Sequence, residues 1–203
     1  MATLYDIKPR FQATLRPYAD TLVTRGYSAN QVTLAALVLS AAEGALLLWM
    51  PGEMLPLLLL PVVLFVRMAL NAIDGMLARE HGQASPLGAL LNEVCDLASD
   101  AALYLPLALV PGLDARLVVA AAAIGLIAEG AGLAAVQIGA RRGYDGPLGK
   151  SDRALGFGAL GLLCAFGGAA TSLASFLSWA LLLLGVVTVG NRMRVALEQR
   201  GPR

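Results

Sequence analysis

Charged residues are scarce in this chain. Only 14% of its 203 residues are Asp, Glu, Lys or Arg, whereas 58% are hydrophobic, and the mean hydropathy is +0.70. A water-soluble domain of this composition would expose far more apolar surface than its few charges could cover. The scarcity of charge therefore excludes a soluble domain, and repeated apolar runs of about 20 residues predict an integral membrane protein.

Cysteine and histidine are nearly absent too. Cys95 and Cys164 both fall within apolar runs, and they form neither a disulfide framework nor a zinc-site pattern. His81 is the only histidine, and its place in a polar turn favours a solvated side chain over a catalytic one. A net charge of +1 gives no reason to expect a nucleic-acid partner. The first residues lack the basic and apolar regions of a signal peptide, so we expect no cleavage.

Six apolar segments follow one another along the chain, and Pro-Gly pairs or polar residues separate them. They lie at 32–50, 55–77, 87–110, 117–140, 155–170 and 173–189. Because one span takes about 20 residues, the chain has room for six spans and no second domain. We predict an all-α fold in which residues 1–203 form a single membrane domain and residues 29–195 form a six-helix bundle.

Residues 1–28 differ from the rest because they are mixed in charge. Their apolar side chains recur every three or four residues, as in an amphipathic helix that lies in the membrane interface. They are Tyr5, Ile7, Phe11, Leu15, Tyr18 and Leu22. We therefore predict an interfacial helix before the first span.

Basic residues set the predicted orientation. With six spans, every lysine and arginine except Arg67 and Arg116 lies on the same side as both termini. The positive-inside rule then places both termini in the cytoplasm, within an inner membrane. Five or seven spans would divide the basic loops between the two sides.

Polar residues interrupt the second and third apolar segments in two stripes. On the second, Asn71 and Asp74 lie on the helix face that also carries Arg67 and Ala78. On the third, four residues fall within about 100° of arc. They are Asn92, Glu93, Asp96 and Asp100. Intramembrane carboxylates are functional candidates, and the short turn between the segments brings the stripes together.

Four carboxylates in this region need compensating positive charge. Arg67 and Arg79 are too few to supply it, and an apolar setting disfavours unpaired ionised acids. Carboxylate and amide oxygens suit Mg²⁺, Mn²⁺ or Ca²⁺. We therefore predict one or two divalent ions here, within about 15 Å of the cytoplasmic end of the helices.

The same region carries a recognisable pattern. It reads Asp74-Gly75-x-x-Ala78-Arg79, eight residues, a glycine at 88, three residues, an acidic position in other proteins, three residues, and an aspartate at 96. This pattern resembles the signature of the CDP-alcohol phosphotransferase family. Residues 28–33, Ser-Ala-Asn-Gln-Val-Thr, are similar to the Pro-Asn-x-x-Thr motif at the start of that family's first span.

The resemblance implies a reaction and a set of roles. An acceptor hydroxyl attacks the phosphorus of a CDP-alcohol, with CDP-diacylglycerol as the expected donor, and CMP leaves. By resemblance, the metals Mg²⁺ or Mn²⁺ are held at Asp74, Asp96 and the positions of Asn71 and Asn92, and Asp96 is also the catalytic base. The small or basic residues of the signature would bind the donor's phosphates and allow the helices to approach closely. These are Gly75, Ala78, Arg79 and Gly88.

Two positions depart from the family pattern, because Asn71 and Asn92 stand where the family has aspartate. One interpretation is an active subfamily in which Glu93 and Asp100 supply the missing negative charge to the metals. The other is a non-catalytic homologue. We favour the active one, since buried acids are costly in a bundle without a function for them.

The remaining candidates are weaker. Lys150 and Arg153, at the cytoplasmic start of the fifth span, could bind a substrate phosphate or could belong to a solvated basic loop. Glu43 and Glu129 are intramembrane acids without an obvious partner, and Arg192 is expected to anchor the last helix to lipid headgroups.

Another functional class stays open. Intramembrane acids are also used by small cation- or proton-coupled transporters, but the pattern of helix-breaking repeats typical of transporters is missing. The lipid donor and an unidentified hydroxyl acceptor are therefore the expected partners, together with the bilayer. A homodimer is implied by the resemblance alone.

Overall fold

The chain forms a bundle of long helices. A computed structural model describes residues 4–199, with side chains from residue 11 onward. All regular structure within that range is helical. The seven α-helices are α1 (Leu4–Thr24), α2 (Ala29–Trp49), α3 (Met54–Glu80), α4 (Pro86–Tyr104), α5 (Ala115–Gln137), α6 (Lys150–Ala165) and α7 (Ser172–Gln199), and a 3₁₀ turn, Leu105–Leu109, follows α4.

The six predicted bundle helices correspond to α2–α7. Four of them, α2, α3, α5 and α7, are long and apolar enough to cross a membrane. The 19 residues of α4 carry three acids, and α6 has only 16 residues. The all-helical membrane fold is confirmed, whereas the count of six crossings stays a prediction.

Helix ends follow local sequence signals. Ser28 and Gln31 form a capping box at the start of α2. Ser85 accepts a hydrogen bond from the Gly88 N–H and precedes Pro86, so α4 begins there. The predicted segment 87–110 is not one α-helix, because Pro106 lacks the N–H that an α-helix would need and the chain continues as the 3₁₀ turn. The predicted segment 155–170 begins earlier, at Lys150, where Asp152 accepts from the Gly149 N–H at 2.9 Å.

The amphipathic helix predicted for residues 1–28 is seen as α1, and it packs mainly on α3. Leu15 and Leu22 pack against a small apolar cluster around Ala19 and Leu77. Tyr18, predicted for the same face, is instead 63% exposed. Some residues of the sequence-based predictions lie outside the part of the chain that the structure describes. They are residues 1–3 and 200–203, which include Arg200 and Arg203, and the side chains of Tyr5, Ile7, Lys8 and Arg10.

A larger apolar cluster holds the bundle together away from the polar stripes. It joins α3 and α6 through Leu57, Leu60 and Leu160, which are fully buried. The ring of Tyr104 stacks on Phe157 with centroids 4.1 Å apart. This cluster positions α3, α4 and α6 so that their polar residues meet at one end of the bundle.

The helices α2 and α4 approach closely at Gly44. A β-carbon at this position would lie 2.9 Å from the backbone carbonyl carbon of Ala102, and the backbone of a packed helix cannot move aside cheaply. Glycine at 44 is therefore needed for this contact.

We expect Gly44→Ala to lower the stability by about 1–3 kcal/mol, because the added methyl group overpacks the α2–α4 interface. Gly190→Ala is the matched control, since a β-carbon there meets nothing within 4 Å. Thermal unfolding in detergent micelles measures both. Equal melting temperatures for the two variants would contradict the close packing.

Candidate active site

The signature residues meet around one cavity. It has a volume of about 250 Å³ and lies between α2, α3 and α4. Its lining includes Asp74, both asparagines and the four signature residues predicted to bind the donor, but neither Lys150 nor Arg153. These lining residues are Asn71, Asp74, Gly75, Ala78, Arg79, Gly88 and Asn92. Residues three or four apart share a face on α3 and on α4, so each helix presents several of these residues on one side.

Two glycines shape the cavity. A β-carbon at Gly75 would lie 2.7 Å from a terminal nitrogen of Arg79, so glycine allows the guanidinium to fold back over α3. A β-carbon at Gly88 would lie 2.7 Å from Oδ1 of Asn30. The second glycine therefore lets α2 bring Asn30 to the cavity wall. Gly75, Gly88 and Asn30 all belong to the motifs identified in the sequence.

Asp74 is the only carboxylate among the described residues that line the cavity. It is buried, and its Oδ2 accepts a hydrogen bond from the Thr33 hydroxyl at 2.8 Å. The Asn-x-x-Thr motif at the start of α2 thus contributes Asn30 and Thr33 to the site. Gln83 and Ser85 also line the cavity, and no sequence signal singled them out.

Asp96 lies one helical turn after Asn92 and is held by nitrogen donors. The Asn71 amide donates to its Oδ1 at 2.9 Å, and Arg67 approaches the same oxygen at 3.4 Å. The ammonium of Lys150 contacts its Oδ2. Its side chain is 18% exposed, so solvent still reaches it.

Asp100 is not near the cavity lining but lies deep in the bundle. Arg67 Nη1 donates to its Oδ1 at 2.5 Å, and Arg153 Nη2 donates to its Oδ2 at 2.9 Å. All three side chains are at most 3% exposed. Asp100 therefore belongs to a buried ion-pair network with Arg67 and Arg153, and the predicted roles of Asp100 at a metal and of Arg153 at a substrate phosphate stay predictions.

The other acids also form ion pairs with arginines. Glu93 pairs with Arg142, and Glu129 accepts from Arg153 at 2.9 Å and from Arg192 at 3.3 Å. Basic groups are not too few, contrary to the prediction from the sequence, because α6, α7 and the loop before α6 bring three more arginines and a lysine. Glu93 is an ion-pair partner of Arg142 in this structure, and its role as a metal ligand stays a prediction.

Arg192 is also corrected. It is 2% exposed and donates to the Ala128 carbonyl at 2.5 Å, so it ties α7 to α5 inside the bundle and does not reach lipid headgroups. Glu43 stays without a hydrogen-bond partner for Oε1 among the described residues. His81 pairs with Asp20 of α1 at 3.2 Å and takes no part in the cavity.

The donors around the cavity suit a hard cation. Within residues 4–199, no group of three or more histidine, cysteine, aspartate and glutamate side chains could hold a metal ion. The cavity does combine the Asp74 carboxylate with the amides of Asn71 and Asn92, and oxygen donors of these kinds bind Mg²⁺ and Mn²⁺. The donor set is thus of a kind that suits a divalent ion.

The sequence also matches the model of a known protein family. Residues 27–189 match the model of the CDP-alcohol phosphatidyltransferases, which covers most of the chain. The chain belongs to the CDP-alcohol phosphatidyltransferase family. The resemblance inferred from the signature is thereby confirmed.

Several relatives of this phosphatidyltransferase family member are known. The inner membrane protein YnbA of Escherichia coli K12 is 52% identical over 80% of this chain and 81% of that protein. The phosphatidylinositol phosphate synthase of Mycobacterium marinum is 32% identical over 46% of this chain and 38% of its own length. The archaetidylinositol phosphate synthase of Pyrococcus horikoshii is 30% identical over 52% and 54%, respectively.

Solved structures share the fold. The phosphatidylinositol phosphate synthase of Mycobacterium tuberculosis, crystallised with CDP-DAG bound, has a TM-score of 0.75, 25% identity, and coverage of 92% of this chain and 95% of that chain. The same synthase in complex with manganese and citrate has the same TM-score and identity, over 92% and 90%. Together with the apolar helices, these relatives make this phosphatidyltransferase homologue a multi-pass membrane protein.

We expect Asp100→Asn to lower the stability by about 3–5 kcal/mol, because two buried guanidinium groups lose their shared counter-charge. Glu198→Gln is the control. It breaks the exposed pair with Arg194, and exposed pairs contribute at most about 1 kcal/mol. Melting temperatures in detergent compare the two, and a control as unstable as Asp100→Asn would overturn the assignment.

Proposed function

We propose that the chain transfers a substituted phosphate group from CDP-diacylglycerol to an acceptor hydroxyl in phospholipid synthesis. The observation that carries this proposal is the cavity, in which Asp74, Gly75, Arg79 and Gly88 surround one space. Support also comes from the mycobacterial synthase of the same fold, which was crystallised with CDP-DAG.

The reaction replaces the phosphoanhydride bond of the donor by a phosphoester bond to the acceptor. The acceptor oxygen bonds to the phosphorus that carries the diacylglycerol, and the bond from that phosphorus to the bridging oxygen of the diphosphate breaks. CMP leaves with the bonding electrons, and the acceptor proton passes to a base. Such a transfer needs little covalent chemistry from the protein, so positioning and charge neutralisation are its main contributions.

Residues of the signature fit these contributions. The Arg79 guanidinium, folded over Gly75, presents several N–H donors to the diphosphate. Ala78 and Gly88 leave room for it beside the backbone. Asp96 is the proposed base, because its carboxylate is partly exposed one turn beyond Asn92. Lys150 neutralises Asp96 until the acceptor arrives.

The oxygen donors of the cavity would hold a divalent ion. Asp74 would hold it with the carbonyl oxygens of Asn71 and Asn92, and the ion would neutralise phosphate charge. Either Mg²⁺ or Mn²⁺ is compatible with these oxygen ligands. Thr33 fixes the Asp74 carboxylate by donating to one oxygen, which leaves the other for the ion.

We propose a cytoplasmic location for the site and both termini. Two hydrogen bonds tie basic loops to neighbouring helix ends: Gln83 accepts from the Ala29 N–H, and Gln199 accepts from the Arg141 N–H. The positive-inside rule assigns the side with the basic loops to the cytoplasm. The polar headgroup of a CDP-alcohol is accessible from that side.

The deciding experiment measures CMP release from CDP-diacylglycerol in nanodiscs with a panel of hydroxyl acceptors. We expect release with at least one acceptor in Mg²⁺ or Mn²⁺. Asp96→Asn should lower kcat by about 10²-fold or more, since a general base contributes that much. Glu198→Gln, an exposed isosteric change, should keep full activity. Equal rates for wild type and Asp96→Asn with every acceptor would reject the catalytic role.

We expect Gly75→Ala to lower kcat/KM by about 10²-fold, because the new methyl group displaces the Arg79 guanidinium from its place at the cavity. Gly130→Ala is the matched control, since a β-carbon there meets nothing within 4 Å. The same CMP assay compares them. Unchanged catalysis by Gly75→Ala would show that Arg79 does not position the donor.

The amides at 71 and 92 favour a second candidate, a non-catalytic homologue that binds a CDP-alcohol without transferring it. Thermal stabilisation by CDP-diacylglycerol without CMP release for any acceptor would support it. Asn71→Asp together with Asn92→Asp would then be expected to restore transfer, because both carboxylates of the family pattern return.

A further inference from the structure

The cavity offers little negative charge for a metal site. Asp74 is its only carboxylate among the described residues, and Asn71 and Asn92 provide neutral carbonyl oxygens. Two divalent ions bring four positive charges, so one carboxylate would leave three of them unbalanced before any donor binds. One ion leaves a single positive charge, which suits a site for an anionic diphosphate.

Asp96 is the next carboxylate, and its charge is already offset. Its Oδ2 contacts the Lys150 ammonium, while its Oδ1 accepts from the Asn71 amide at 2.9 Å. Arg67 approaches Oδ1 as well, at 3.4 Å. A second ion at Asp96 would have to displace the ammonium and would face the guanidinium.

The position of Lys150 is fixed by the first turn of α6. Asp152 accepts from the Gly149 N–H at 2.9 Å, which caps the helix. Arg153 then anchors the same turn to Asp100 at 2.9 Å. Since Lys150 precedes Arg153 by three residues, it lies on the same face of α6 and is directed at α4.

We propose that this site holds a single divalent ion at Asp74, Asn71 and Asn92, and that the Lys150 ammonium is its second cation. Asparagine in place of aspartate at two positions lowers the negative charge of the site, and the lysine beside Asp96 supplies positive charge. Both features then remove the need for a second divalent ion. This inference rests on the proposed function only for the use of the ion, because metal binding can be measured without transfer.

The test is Mn²⁺ titration of the full chain in nanodiscs without CDP-lipid, read by calorimetry and by electron paramagnetic resonance. Wild type should bind one Mn²⁺ per chain and give the spectrum of an isolated ion. Lys150→Met should bind Mn²⁺ about tenfold more tightly, because the repelling ammonium is gone and Asp96 is released. Lys150→Arg should keep wild-type affinity.

A triple change tests the charge balance further. Lys150→Met with Asn71→Asp and Asn92→Asp should bind two Mn²⁺ per chain with a spin-coupled spectrum. Arg194→Met removes an exposed positive charge far from the cavity lining and should change the affinity by less than about twofold.

Some results would overturn the proposal. They are two Mn²⁺ per wild-type chain, no Mn²⁺ at all, or an unchanged affinity in both Lys150→Met and the triple variant. The proposed transfer reaction is rejected separately, by a chain that binds one ion but releases no CMP. CMP release by a chain with two ions would reject this inference alone.

Discussion

The buried carboxylate of Asp100 is the interaction on which the polar half of the bundle depends. It is shared by Arg67 of α3 and Arg153 of α6, and none of these side chains is open to water. An unpaired charge at this depth costs several kcal/mol, so the three helices must meet in this arrangement for any of the charges to be tolerated. The geometry of the cavity follows, because Asp96 lies one turn from Asp100.

The network continues from this centre to the last helices. Arg153 also donates to Glu129 of α5, and Glu129 accepts from Arg192 of α7. Charged pairs thus connect α3 to α7 at one end, and an apolar cluster around Leu57 and Phe157 fills the rest. Such networks specify one packing arrangement in a membrane, where apolar surfaces alone discriminate weakly between neighbours.

Much of the cavity could be predicted from the sequence, because its parts are local. Asp74, Gly75 and Arg79 lie within two helical turns, and the turn after Arg79 brings α4 alongside. Arg153 could not be predicted as a partner of Asp100, since it is 53 residues away and the basic residues around it resemble an ordinary cytoplasmic segment. Span number was equally out of reach from composition, because α4 combines an apolar face with three acids.

The length of α6 has a consequence for the surrounding lipid. Its 16 residues rise about 24 Å, which is less than the hydrocarbon thickness of about 30 Å in a typical bilayer. A helix this short is accommodated by local thinning of the bilayer. Were α6 to cross the membrane, headgroups beside it would sink toward the plane of Lys150, and a lipid donor would need less vertical displacement to bring its diphosphate to the protein than in an unperturbed leaflet.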